Sequence, residues 1–272
     1  MEAHNINYNI DFQEIKQVAL AGVHRAFLFT QITAGLDTKA LTFSDGMAST
    51  TRVNLVGRDL TPEEQAAAIV DFKRWSAANG LRELEEAMAE YILAIHHAVV
   101  LAPFHNKTVG DAAPRVNKKL KDMERDTNLG SRLQRLADEF KPAWPEDVRT
   151  IPVDEFRSVA LARNCIAHHR SMVKARHCNK DGKLVMKWMS IVLEHHSDDG
   201  TIRIGNEVFG VPLHGGSIKA RYTNRDKAFP IGGVVDLDAS DIAEIGLMMM
   251  ITSDNLLGLL LKHLRALGIP EV

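Results

Sequence analysis

Apolar residues recur at helical spacing over most of the chain, and turn residues cut that pattern into segments. Phe12, Ile15, Ala19, Val23 and Phe27 put one apolar face on a first helix over 11–36, closed by Gly35 and a polar stretch through Asp45-Gly46. Thr61-Pro62-Glu63-Glu64 carries three start signals: Thr as N-cap, Pro at the first helical position and Glu at the third. That helix is predicted to stop at Asn79-Gly80, and a further amphipathic helix to run over 81–102 up to Pro103. Residues 116–140 predict one or two helices with a joint at Asn128-Leu129-Gly130, and Pro142 and Pro145 end the region. Thr150-Ile151-Pro152 with Asp154-Glu155 opens the next helix, because Pro fits the first turn and acids complement its positive end. Its end is predicted between Ser171 and Lys180.

Beyond Asp181-Gly182 the pattern changes period. Leu184 to Leu193 is rich in β-branched and large apolar residues, Asp198-Asp199-Gly200 is a turn signal, and Thr201 to Leu213 resumes a strand-like pattern. A small antiparallel sheet is predicted, with Gly215-Gly216 and Gly232-Gly233 as turns around a further stretch to Leu237. Helix returns over 238–267, where Met248-Met249-Met250, Leu256, Leu257, Leu260 and Leu264 make much of the circumference apolar. Such a helix must be buried, in the bundle core or against a second subunit. Neither an internal repeat nor a low-complexity tract is evident.

A chain of 272 residues with 45% hydrophobic content can bury a substantial core without covalent staples. Its net charge of -2 excludes the overall basic balance of a nucleic-acid coat protein, so any RNA contact must come from a local patch. Cys165 and Cys178 are the only cysteines, which gives no disulfide framework and points to a reducing, cytoplasmic location. Met1 to Asp11 is polar with no apolar signal core, and the apolar run Ile245 to Ile251 is too short to span a bilayer before Thr252-Ser253-Asp254-Asn255.

Candidate chemistry concentrates in Arg163-Asn164-Cys165-Ile166-Ala167-His168. A guanidinium stays charged and stabilises a pentacoordinate phosphate, while an imidazole near neutral pKa moves a proton, so the pair holds what metal-free RNA cleavage needs. The spacing alone is weak, since Arg170 and His177 also satisfy it. A helical wheel adds discrimination. With Arg163 at zero, Ala167, Ser171, Asn164 and His168 fall between roughly 40° and 140°, while Val159, Ala162, Ile166 and Val173 fall between roughly 260° and 320°. His169, near roughly 240°, sits at the edge of the buried side, so His168 is the better catalytic candidate and His169 the better structural one.

These residues resemble a known family. Arg163-Asn164-x-x-Ala167-His168 is similar to the Arg-x(4–6)-His signature of the HEPN superfamily, particularly its abortive-infection and toxin-type branches. The resemblance covers about ten residues closely and the helices over 81–174 loosely, with Asn128-Leu129-Gly130 also similar. It implies a mainly α fold: a HEPN-like helical bundle over 1–180 carrying the motif, a small antiparallel β insertion over 181–237, and a C-terminal helix over 238–272 packing on the bundle or a dimer interface. It further implies a metal-independent endoribonuclease without cofactors, active as a homodimer in a bacterial defence or toxin-antitoxin system, with a possible antitoxin partner. Arg163 and His168 carry over as catalytic residues, with Asn164 as the polar residue following the Arg. One branch places a modified Tyr two residues after the His; Arg170 stands there instead, so regulation through that tyrosine is not expected.

Arg115, Lys118, Lys119, Lys121, Arg125, Arg132 and Arg135 outnumber the interleaved Asp122, Glu124 and Asp126, giving a candidate RNA-backbone surface. Lys118, Lys119 and Arg170 are the candidate RNA contacts. Cys165, His168, His177 and Cys178 are zinc-ligand types, but they lack a paired CxxC arrangement and metal would occupy the candidate catalytic histidine, so no metal site is expected. Glu86, Glu90 and His97 approach one helix face without the Glu-x-x-His pair of a di-iron bundle. The paired glycines lack a Gly-x-x-x-x-Gly-Lys phosphate loop. The alternative to catalysis is a non-catalytic RNA- or protein-binding helical module.

Overall fold

A computed structural model of the chain describes residues 11–35, 60–105, 107, 109–197, 200–204 and 215–269. The polar stretch through Asp45-Gly46, the Asp198-Asp199 turn and the strand pattern over 205–213 lie outside the described residues. The described chain is mainly helical, with one small antiparallel sheet.

Helix α1 (Phe12–Ala34) starts where the Asp11 carboxylate accepts hydrogen bonds from the Gln13 and Glu14 amides. Helix α2 (Pro62–Leu101) starts at the expected capping box, Thr61 accepting from the Glu64 amide and Glu64 from the Thr61 amide. Contrary to the sequence expectation, α2 runs 40 residues without stopping at Asn79-Gly80. Gly80 sits where α2 meets its neighbours: a Cβ there would lie 3.2 Å from Ile242 Cγ2 and 3.2 Å from Thr30 Oγ1. Close helix packing accounts for the glycine, and burial against those neighbours outweighs the ~1 kcal/mol that Gly costs inside a helix.

The predicted joint at 128–130 separates α3 (Ala113–Arg125) from α4 (Leu129–Phe140), with Asn128 capping α4 by accepting from the Ser131 amide at 2.9 Å. The break itself is Asp126 to Asn128, so Gly130 lies inside the first turn of α4. Gly130 faces the backbone of Arg157, where a Cβ would come within 2.8 Å of the Arg157 Cα and amide nitrogen. Backbone cannot yield as a flexible side chain can. Gly130→Ala is therefore expected to lower stability by about 2 kcal/mol despite the better helix propensity of Ala; an unchanged urea midpoint would show that the helix pair separates at little cost.

A single turn, α5 (Pro145–Val148), leads to α6 (Val153–His169), whose Phe156, Val159 and Ala162 are fully buried. Helix α6 ends earlier than the predicted 171–180, because Arg170 and Ser171 adopt left-handed φ values of 51° and 63°. That reversal lays the following segment against residues 232–235: Val173 donates to the Gly233 carbonyl at 2.9 Å and Val235 to the Ser171 carbonyl at 2.8 Å. These bonds offset the steric penalty of two non-glycine left-handed residues.

The sheet places β1 (Lys183–Ser197) between β2 (Gly200–Ile204) and β3 (Ser217–Pro230), all antiparallel. Leu184, Met186 and Trp188 alternate inward from β1 into the same core as the helices. Ser158 of α6 donates to the Lys187 carbonyl and accepts from its amide, and Trp188 Nε1 donates to Glu244 at 2.7 Å. Glu244 belongs to α7 (Ala239–Ala266), capped by Asp238 and packed on α1, α2 and β1. By length and composition, Pro62–Phe104 and Ala239–Ala266 are apolar enough to cross a bilayer; 56% and 50% of their most apolar windows are buried inside the fold, as in core helices of a bundle.

Candidate functional site

Helix α6 presents its last turns to the middle of α2. Arg163 is half-buried there, its Nε 2.7 Å from Glu85 Oε2 as an ion pair without a directed hydrogen bond. Its Nη2 reaches Glu86 Oε1 at 3.5 Å, and its Nη1 donates to Asn164 Oδ1 at 3.4 Å. Asn164 and Glu86 thus hold the outer edge of the guanidinium while Glu85, with only 8% of its side chain exposed, holds the inner edge. Burial pushes the Glu85 carboxyl up to about 6; the Arg163 charge pulls it down and the neighbouring Glu86 raises it further.

His168 lies in the final turn of α6, exposed and without a hydrogen-bond partner among the described residues. His169 is engaged instead: Arg176 contacts its Nε2, and its ring packs on that of His177 with centroids 5.1 Å apart. Loss of solvation together with the Arg176 cation lowers the affinity of both His169 and His177 for a proton. His168 and His169 therefore differ as solvent-facing and packed groups, their rings 6.5 Å apart.

A groove of about 620 Å³ opens between α2 and the end of α6, lined by Arg163, Ala167 and Arg170 on one side and Arg74, Trp75 and Arg82 on the other. His168 does not line it. A larger cleft of about 710 Å³ lies between the start of α6, the sheet and α7, and contains none of the motif residues. Among the described residues, no three His, Cys, Asp or Glu side chains converge as metal ligands would. Cys165 is buried, its thiol donating to the Met172 carbonyl, and burial raises its pKa.

The basic segment is partly consumed by the fold. Lys119 pairs with Glu139 at 2.6 Å, Arg135 with Asp126 at 3.1 Å, and Arg132 donates to the Ala89 and Glu124 carbonyls. Lys118 is exposed and unpaired among the described residues. Helix α3 meets α2 where Glu124 approaches His97 at 3.6 Å, eleven residues beyond Glu86 and so about 16 Å along the helix axis. Lys118 and Lys119 are thus not assembled with Arg163, whereas Arg170 shares its groove.

Sequence patterning missed Glu85, Arg74, Trp75 and Arg82. On an unbroken α2, positions 71, 74, 75, 78, 79 and 82 recur at i, i+3, i+4, i+7, i+8 and i+11 and share one face. Breaking the helix at Asn79-Gly80 separated Trp75 from Arg82 and hid that stripe. No known protein family, characterised protein or solved structure matches the chain.

Proposed function

We propose that this chain is a metal-independent endoribonuclease of HEPN type, cytoplasmic, acting in a bacterial defence or toxin-antitoxin system. The observation that carries this function is the placement of Arg163: anchored by Glu85, it opens onto an arginine-lined groove, with the exposed His168 in the final turn of the same helix. His168 takes the proton of an RNA 2′-hydroxyl, whose oxygen bonds to the adjacent phosphorus. Arg163 stabilises the phosphorane charge. The bond to the 5′ oxygen breaks and the proton is returned to that oxygen, leaving a 2′,3′-cyclic phosphate and a 5′-hydroxyl. Two copies joined as a homodimer bring two such pairs into one cleft, and an antitoxin that covers it silences the activity.

Purified protein is expected to cleave total RNA in EDTA, to leave DNA intact for want of a 2′-hydroxyl, and to lose cleavage in His168→Ala. Fragments bearing a 5′-phosphate would reject this chemistry. One observation favours a non-catalytic RNA- or protein-binding module instead: an arginine paired to a buried glutamate is also what a purely structural residue makes. Cleavage that survives in His168→Ala, or never occurs, would favour that second function.

A further inference from the structure

We propose that the groove between α2 and the end of α6 seats a nucleotide of single-stranded RNA, its base stacked on Trp75 and its backbone phosphates held by Arg82 and Arg170. This rests on the ribonuclease function and names where its substrate lies. Trp75 is 62% exposed, an unusual position for the largest apolar side chain in the absence of a ligand. Its ring is already stacked on Phe72, centroids 5.9 Å apart and planes 16° from parallel, so one indole face is fixed while the residue remains largely open to solvent. A rigid, exposed aromatic surface within a cationic groove is what an unpaired base and its phosphate require, because every base has a π-face.

The arginines of the groove are not equivalent. Arg74 is committed to Asp236 at 3.0 Å and Asp71 at 3.2 Å, and Arg163 to Glu85. Among the described residues Arg82 makes only a loose surface pair with Glu86 at 3.6 Å, both side chains more than half exposed, so exchanging Glu86 for a phosphate loses little. Arg170 has no ion pair among the described residues, and the left-handed turn at its own backbone carries it to the groove lip. The two available guanidinium groups and Trp75 thus share one groove with Arg163.

The test uses the full chain and a fluorescein-labelled 2′-O-methyl oligouridine of about twelve nucleotides. This probe cannot form a cyclic phosphate, so binding is measured apart from cleavage. Trp75→Ala is expected to weaken binding at least tenfold, within the range of one lost base stack, and Trp75→Phe to restore most of it. Arg82→Gln and Arg170→Gln are each expected to flatten the dependence of log K on log salt by about 0.7. Binding by Trp75→Ala equal to wild type, or affinity insensitive to salt and preserved in both Gln variants, overturns the proposal and leaves the groove as a surface for another protein. Trp75-dependent binding without cleavage of ordinary RNA supports the subsite while removing the nuclease; cleavage with Trp75-independent binding does the reverse.

Discussion

Arg163→Ala is expected to lose stability together with cleavage, while His168→Ala loses cleavage alone. Glu85 is buried and faces Arg163 at 2.7 Å, so deleting the guanidinium strands a carboxylate with a desolvation penalty of about 3 kcal/mol. Protonation limits that penalty. Burial already holds Glu85 near 6, and without the Arg163 charge its pKa rises further. The loss in Arg163→Ala is therefore smaller at pH 5.5, where Glu85 can go neutral, than at pH 8, where it must be charged. His168 is exposed and unpartnered among the described residues, so its removal stays within about 0.5 kcal/mol while cleavage falls about 10²- to 10⁴-fold. The separating variant is Glu85→Gln/Arg163→Ala, which removes the stranded charge: urea midpoints are expected to recover toward wild type and cleavage to stay lost. If cleavage recovers with stability, Arg163 is a strut of the fold and has no part in the chemistry.

The partner of Arg163 explains why the site was only half legible in the sequence. Local signals read true: the Thr61 capping box, the Asp11 to Leu36 periodicity and the Asn128 joint act within a few residues of themselves. The wheel for α6 likewise put Val159 and Ala162 on the buried side. Glu85 reaches Arg163 across 78 positions of sequence, and nothing in local spacing marks that contact. The helix ends expected at Asn79-Gly80 and at 171–180 differ from those observed for one reason: at Gly80 and Arg170 a tertiary contact overrides the residue's usual local meaning. A mid-helix glycine is retained for close packing, and a non-glycine arginine turns left-handed because residues 232–235 supply the hydrogen bonds. The basic segment shows the same limit of local reading. Composition counts Lys119, Arg132 and Arg135 as free charge, but each is held by a carboxylate or carbonyls of the fold.

Acid is expected to destabilise the protein through His96, by about 3 kcal/mol between pH 7 and pH 4. His96 is 3% exposed on α2, and its Nδ1 is buried with no hydrogen-bond partner among the described residues. Burial lowers its pKa from about 6.5 to about 4; Glu139 opposes that shift, while His97, Lys119 and Arg135 reinforce it. The neutral ring is therefore the folded form, and the unfolded chain binds the proton first. Stability from this group is complete above about 6.5 and is lost as pH falls toward about 4. Glu85 acts in the opposite sense over about 4.5 to 6, because its carboxyl is easier to protonate folded than unfolded. The raw pH profile thus mixes the two, and a difference isolates one. His96→Leu, measured by urea unfolding at pH 4, 5, 6 and 7 beside wild type, is expected to lie within about 1 kcal/mol of it at pH 7 and to gain about 3 kcal/mol on it by pH 4. Parallel profiles would mean that the core around His96 admits water or a carboxylate on protonation, and that acid acts on this fold elsewhere.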